Sequence, residues 1–278
     1  MEKITDYIAL WRQLTEVRRD PHAPEPGEQA PAEKDAWRER ARGFHKRVQE
    51  RWARPDSSRT WVLSQVDADT TVLDIGAGTG SWTLLLAKQA GHVTALDPSR
   101  AMLEVLQENL AEAGLQNVSV VYGGWPDTQV EPHDLVLCAH AMYGIPDFPH
   151  FVHRLQEVAR RRICLLVRMP VPEGVMGAAA MRVWGQPHDS ANGTVAYGAL
   201  VQMGIFPDVL MEDTGTWGAW KSPTLEDALL ECKAKLGLHG PSEHDQWLQG
   251  LLAERLTWDG SQYVWPASMR SALLTWAV

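Results

Sequence analysis

Apolar residues near the start of the chain recur at helical spacing. Ile4, Tyr7, Ile8, Trp11, Leu14 and Val17 predict an amphipathic helix over 3–19. Pro21 to Pro31 carries four prolines and Gly27 and predicts a loop. Trp37, Ala41, Phe44, Val48 and Trp52 then form one face of a second helix over about 32–52. Its other face, with Arg38, Arg40, Arg42, Lys46, Arg47 and Arg51, is expected to be solvated. The pattern then changes to short, continuously apolar runs at 71–75, 92–97, 118–122, 134–140 and 163–167. Between them lie helical stretches: 81–90, stopped by Gly91, then the helix opened by Pro98 and ended by Gly114, and 147–160. Apolar strands alternating with helices predict a parallel sheet covered on both faces, onto which the two leading helices pack.

Beyond 170, helical pieces are expected around 178–184 and 195–203, after Ser222-Pro223, and within 244–256. Trp247, Trp258 and Trp265 lie in this part and are expected in a structural cover or lid.

Composition narrows the class. The 278 residues are enough for a substantial core, and 26 basic against 35 acidic residues give a net charge of −9, which disfavours a nucleic-acid partner. Cys138, Cys164 and Cys232 lie far apart without metal-ligand spacing, so reduced core thiols and no metal are expected. No apolar stretch reaches membrane-spanning length, and a soluble cytoplasmic protein is expected. Tryptophan, at 13 copies against 5 Tyr and 4 Phe, suits flat, apolar-walled pockets.

The candidate chemistry gathers at the strand ends. Thr71-Val72-Leu73-Asp74-Ile75-Gly76-Ala77-Gly78-Thr79-Gly80 runs from a strand through three alternate glycines into a helix. Such a turn lets a ligand approach the backbone and meet a helix N-terminus. In parallel sheets ligands bind outside the carboxyl ends of the strands, where Asp74, Asp97, Trp125 and His140 all fall. Asp97, 17 residues past Gly80, suits hydrogen bonds from both hydroxyls of a ribose. Nicotinamide dinucleotides and S-adenosyl-L-methionine both use this device. The dinucleotide spacing needs glycine at position 81, which is Ser81, and an acid at 74 suits a ligand bringing an amine.

Val72 to Gly80, Ala95-Leu96-Asp97-Pro98-Ser99 and Asp134-Leu135-Val136 resemble, in order, three motifs of the class I S-adenosylmethionine-dependent methyltransferases. The resemblance covers about residues 40–170. It implies an α/β, Rossmann-like sheet of seven strands with helices on both faces, the last strand antiparallel and inserted beside the fifth. Phe206–Glu212 fits the sixth strand and Met269–Val278 the seventh. The expected organisation is an N-terminal helical extension (1–60), a cofactor-binding core (61–170) and substrate-side elements completing the same domain (171–278). The resemblance places Gly76, Gly78 and Gly80, with Ala77 between them, beneath the methionine moiety, and Asp97 with Pro98 at the ribose. Met102 flanks the adenine or packs in the core, Gly124 and Trp125 sit near its edge, and Ala139 and His140 lie beside the methyl group.

Methyl transfer from a sulfonium requires alignment and water exclusion, and sometimes a base. His140 is the candidate base or a packing residue, and Tyr143 a candidate orienting group. His150 and His153 are expected on a helix surface, whereas His188-Asp189 is placed to reach the substrate side. Ala139-His140-Ala141-Met142 lacks the motif of amino-directed DNA enzymes, and no cysteine cluster serves cytosine-C5 or arsenite chemistry. A small-molecule acceptor is expected. A protein or RNA acceptor, a cofactor-binding protein without transfer and an NAD-dependent oxidoreductase are the alternatives.

Overall fold

The computed structural model describes residues 5–17, 35–52, 56–170, 174–213, 219–267 and 269–278. Ile4, the loop from Pro21 to Pro31 and the start of the second expected helix lie outside these. Helix α1 (Tyr7–Glu16) begins where the Asp6 carboxylate accepts hydrogen bonds from the amides of Ile8 and Ala9. Helices α2 (Ala41–Trp52) and α3 (Ser57–Leu63) follow, α3 capped by Asp56.

The core then alternates: β1 (Thr71–Ile75), α4 (Ser81–Leu86), β2 (His92–Asp97), α5 (Arg100–Ala113), β3 (Val118–Tyr122), β4 (His133–Ala139), α6 (Phe148–Val158) and β5 (Ala159–Pro170). Next come α7 (Val175–Trp184), α8 (Gly193–Gln202), β6 (Asp208–Met211), β7 (Lys221–Ser222), α9 (Leu225–Lys235), α10 (Asp245–Arg255), β8 (Thr257–Trp258), β9 (Tyr263–Val264) and β10 (Met269–Ala277). Seven strands form the main sheet in the order β3-β2-β1-β4-β5-β10-β6. β10 is antiparallel to both neighbours, with Leu274 opposite Leu165 of β5 and Val209 of β6. The family's inserted seventh strand is therefore present.

Side-chain alternation along the strands builds a core on each face. Ile163, Leu165 and Val167 join Leu73, Ile75 and Leu274 under Trp11, Phe151 and Leu155. Cys164 and Leu166 join Val72, Leu135 and Leu273 under Val62, Trp82 and Leu86 on the opposite face. The helices α7, α9 and α10 hold a separate cluster around Ala179, Cys232, Leu248 and Trp265.

Several boundaries differ from expectation. Residues 36–40 are turns rather than helix, and α3 lacked a readable stripe because it is only 7 residues long. β5 begins at Ala159, taking the residues expected to end the preceding helix, and Ala159 pairs with His133 of β4. Phe206 and Glu212 fall outside β6. The short three-stranded sheet β7-β9-β8 stands where a cover of helices was expected.

Candidate functional site

After β1 the chain turns sharply, with positive φ at Gly76 (71°), Gly78 (57°) and Gly80 (88°). The amides of Gly76 and Ala77 both donate to the Leu96 carbonyl, at 2.8 and 3.0 Å, tying the turn to β2. The three glycines are needed for different reasons. A Cβ on Gly76 meets Ala141 Cβ at 2.2 Å, and one on Gly80 meets Leu106 Cδ1 at 2.2 Å. One on Gly78 finds nothing closer than 4.0 Å and extends towards Phe44. Gly76 and Gly80 thus serve close packing, whereas Gly78 keeps a surface open.

Two carboxylates frame that surface. Asp97, at the end of β2, accepts from the Gly78 amide on Oδ2 and from the Ser99 amide on Oδ1, each at 2.8 Å. Asp74 Oδ2 accepts from the Thr83 hydroxyl at 2.6 Å. Burial raises both carboxyls from 3.8 to about 6, against the hydrogen bonds that favour their ionised forms.

The strand ends, the turn and α2 enclose a cavity of about 660 Å³, within the range of roughly 300–1,000 Å³ usual for small-molecule sites. Asp74, Gly76, Ala77 and Gly78 line it from β1 and the turn, and Asp97, Pro98 and Met102 from β2 and α5. Gly124 and Trp125 line it after β3, and Ala139, His140 and Tyr143 after β4. Among the cofactor-site candidates from the sequence, Gly80 alone lies outside the lining; it caps α4 and packs on Leu106 instead. Met102 is both a wall of the cavity and a core residue packed with Ala41 and Val105.

The roof comes from a helix before the core, where a pocket-shaping helix was expected, though its residues were not named for that role. Phe44, Val48 and Trp52 of α2, with Trp37 before it, face the cavity. Trp52 meets Trp82 of α4 edge-on at 5.2 Å. Their helical spacing was readable, but not that the stripe would cover a cavity. His188 and Asp189 lie outside the lining, and His188 Nδ1 contacts the Asn192 side chain at 3.3 Å. His150 and His153 are exposed on α6.

Beyond β4, His140 adopts a left-handed backbone (φ 59°), an uncommon conformation for a residue with a side chain. Its Nδ1 lies 3.2 Å from the Tyr143 hydroxyl and its Nε2 3.3 Å from the Ser271 hydroxyl of β10. The Tyr143 oxygen accepts from the Arg168 amide at 2.6 Å and also contacts His140. The Arg168 guanidinium stacks 3.7 Å over the Tyr143 ring. Burial pushes the Tyr143 phenol up to about 12 and the Cys138 thiol likewise to about 12, so both stay protonated at neutral pH. Both imidazole nitrogens thus contact hydroxyls, which anchors the His140 ring. Arg168 was missed because β5 was expected to end at 167.

Residues 72–162 match the family model described as a methyltransferase domain. This segment is therefore similar to a methyltransferase domain over the strands and turns that line the cavity. A demethylmenaquinone methyltransferase of Listeria monocytogenes is 32% identical over 109 residues, 36% of this chain and 45% of that protein. The chain thus spans about half the length of the curated relatives it matches. An uncharacterized protein of Haemophilus influenzae is 30% identical over 179 residues, 62% and 64% of the two chains. Among solved structures, the Bacillus YcgJ protein superposes with a TM-score of 0.49 at 18% identity, covering 78% of this chain and 96% of that one.

The methyltransferase domain's geometry fits the cofactor its family implies. Gly78 leaves the turn open where a side chain would fill it, and both Asp97 oxygens are held rigidly by backbone amides while keeping lone pairs for hydroxyl donors. Asp74 adds a second buried carboxylate for a cationic group.

Proposed function

We propose that the chain is a methyltransferase that transfers a methyl group from S-adenosylmethionine to a small-molecule acceptor. The observation carrying this reading is the pairing of the Gly78 opening with the pinned Asp97 carboxylate at one end of an enclosed cavity in a methyltransferase domain. The cofactor supplies a methyl carbon bonded to a positively charged sulfur, and the acceptor's lone pair forms the new bond as the carbon–sulfur bond leaves its electrons on sulfur.

In this reading Asp97 binds the ribose hydroxyls and Asp74 the amino end. Gly76, Ala77 and Gly78 form the floor beneath the methionine part. Pro98, Met102, Gly124 and Trp125 enclose the adenine, and Ala139 and His140 stand beside the methyl group. Gly80 shapes the turn from behind. The roof of Phe44, Val48 and Trp52 excludes water, which favours displacement at a charged centre. His140 and Tyr143 orient the acceptor wall through their mutual hydrogen bond. An enclosed cavity of about 660 Å³ and the name of the Listeria relative both support a small acceptor over a macromolecule.

Labelled S-adenosylmethionine incubated with small phenols, amines and thiols, and separately with protein and RNA, tests the activity. Transfer confined to small molecules is expected; label in RNA or protein alone would overturn the acceptor class. Calorimetry tests the cofactor assignment. Asp97→Ala is expected to weaken S-adenosylhomocysteine binding by about 1–3 kcal/mol, the cost of lost hydrogen bonds to a charged acceptor. Unchanged affinity would defeat the ribose assignment.

A further inference from the structure

The acceptor wall contains a guanidinium without a counter-charge. Arg168 lies in β5 where that strand runs past the end of β4, and it lines the cavity. Its Nη2 donates to the Ala191 carbonyl at 3.3 Å, while its buried Nε has no hydrogen-bond partner. The guanidinium also lies against the Tyr143 hydroxyl, an uncharged partner, and no ion pair joins Arg168 to a carboxylate among the described residues. Arg168 is partly buried, and the Tyr143 ring offers its negative face to the guanidinium without neutralising the charge. The carboxylates lining the cavity, Asp74 and Asp97, stand instead on β1 and β2, where they flank the glycine turn. Like and unlike charges are thus divided between the two ends of one cavity.

Resting on the methyltransferase reading above, we propose that Arg168 makes the acceptor end of the cavity a site for an anionic oxygen, so that the acceptor enters as an ionised hydroxyl compound or a carboxylate. An anion there gives the guanidinium the charge-assisted hydrogen bonds it lacks. An acceptor that arrives ionised needs no proton removed in the site, and the wall offers no free base. Both His140 nitrogens are engaged, and burial holds Tyr143 and Cys138 protonated. The aromatic lining from Phe44, Trp52, Trp82 and Tyr143 suits a flat ring bearing that oxygen.

The test uses protein saturated with S-adenosylhomocysteine and measures binding of two matched pairs by tryptophan fluorescence: 4-nitrophenol against 4-nitroanisole, and benzoate against benzamide, at a pH where both acids are ionised. At least one anion is expected to bind about tenfold or more tightly than its neutral partner, the order of a charge-assisted contact. The nitrophenol and benzoate arms separate an ionised hydroxyl from a carboxylate. Arg168→Gln is expected to erase the preference and Arg168→Lys to keep part of it, with S-adenosylhomocysteine affinity within about twofold of wild type in both. That retained affinity also reports that each variant is folded. Equal binding of anion and neutral partner, failure of both anions to bind, or a preference surviving Arg168→Gln overturns the proposal. Failure of the wild-type protein to bind S-adenosylhomocysteine is read separately: it overturns the methyltransferase reading and this inference with it.

Discussion

Asp97 is under two opposing influences. Its burial favours the neutral acid, whereas the amides of Gly78 and Ser99 favour the carboxylate, and burial wins by enough to lift the group to about 6. Asp74 is pulled the same way to about 6. In both cases the folded value exceeds the ordinary 3.8, so the stability these groups confer is complete below about pH 4 and is lost as pH rises through about 6. The ligand-free protein is therefore expected to lose stability across that window, on the order of 1–3 kcal/mol per group. Cofactor binding should run the other way, because hydroxyl donors and an ammonium select the ionised carboxylates. S-adenosylhomocysteine affinity is expected to weaken about tenfold for each required carboxylate between pH 7 and pH 5 and to level off above 7. Calorimetric titrations at half-unit steps check this, and a flat profile would show that neither carboxylate meets the ligand. Asp97 was legible as a site residue because strand, acid and glycine turn stand in a recognisable order. Its raised pKa was not, since the burial that drives it and the nearby charge of Asp35 come from segments distant in sequence. The packing role of Gly80 was likewise hidden, because Leu106 lies on the next helix.

The element that turns a strand-end crevice into a cavity is α2 with the turn before it. Asp35 ties this segment to the core: its carboxylate accepts from the Ser99 hydroxyl at 2.8 Å and from the Ala101 amide at 3.1 Å, so it helps cap α5 from outside. Ser99 completes the cap by accepting from the Met102 amide at 3.1 Å. The exposed pair between Arg42 and Glu108 lies further along the same helix and adds little by comparison. Asp35→Ala is expected to cost about 1 kcal/mol in capping, speed amide exchange in the first turn of α5, and weaken S-adenosylhomocysteine about threefold to tenfold by loosening the roof. Hydrogen exchange with calorimetry on the same samples checks it. Faster exchange without weaker binding would mean that α2 merely covers the core. The stripe of α2 was plain in the sequence, yet periodicity reports that a face is covered and not what it covers. The two-residue strands β7, β8 and β9 are too short to leave an alternation, so the small sheet was illegible.

At the scale of the molecule, the last described strand lies inside the sheet rather than at its edge. β10 separates β5 from β6, and Ser271 on it reaches both His140, 131 residues earlier in sequence, and the register position of Arg168. The wall around His140 and Arg168 therefore depends on a strand distant from both in sequence. Family resemblance made that insertion readable; the alternation of Ala272, Leu274 and Trp276 alone does not say which neighbours a strand will have. Leu274 is fully buried, opposite Leu165 and Val209. Leu274→Ala is expected to cost about 2–5 kcal/mol, the combined loss of transfer energy and a residual cavity. Because β10 carries the contact to His140, binding of an anionic acceptor probe should weaken with the fold. S-adenosylhomocysteine, which the proposed function assigns to the ends of β1 and β2, should still bind below the new denaturation midpoint. Urea unfolding monitored by circular dichroism, with both ligands titrated well below that midpoint, separates these effects. If the two affinities fall together, β10 supports the whole cavity evenly, and the acceptor wall is no more dependent on it than the cofactor floor.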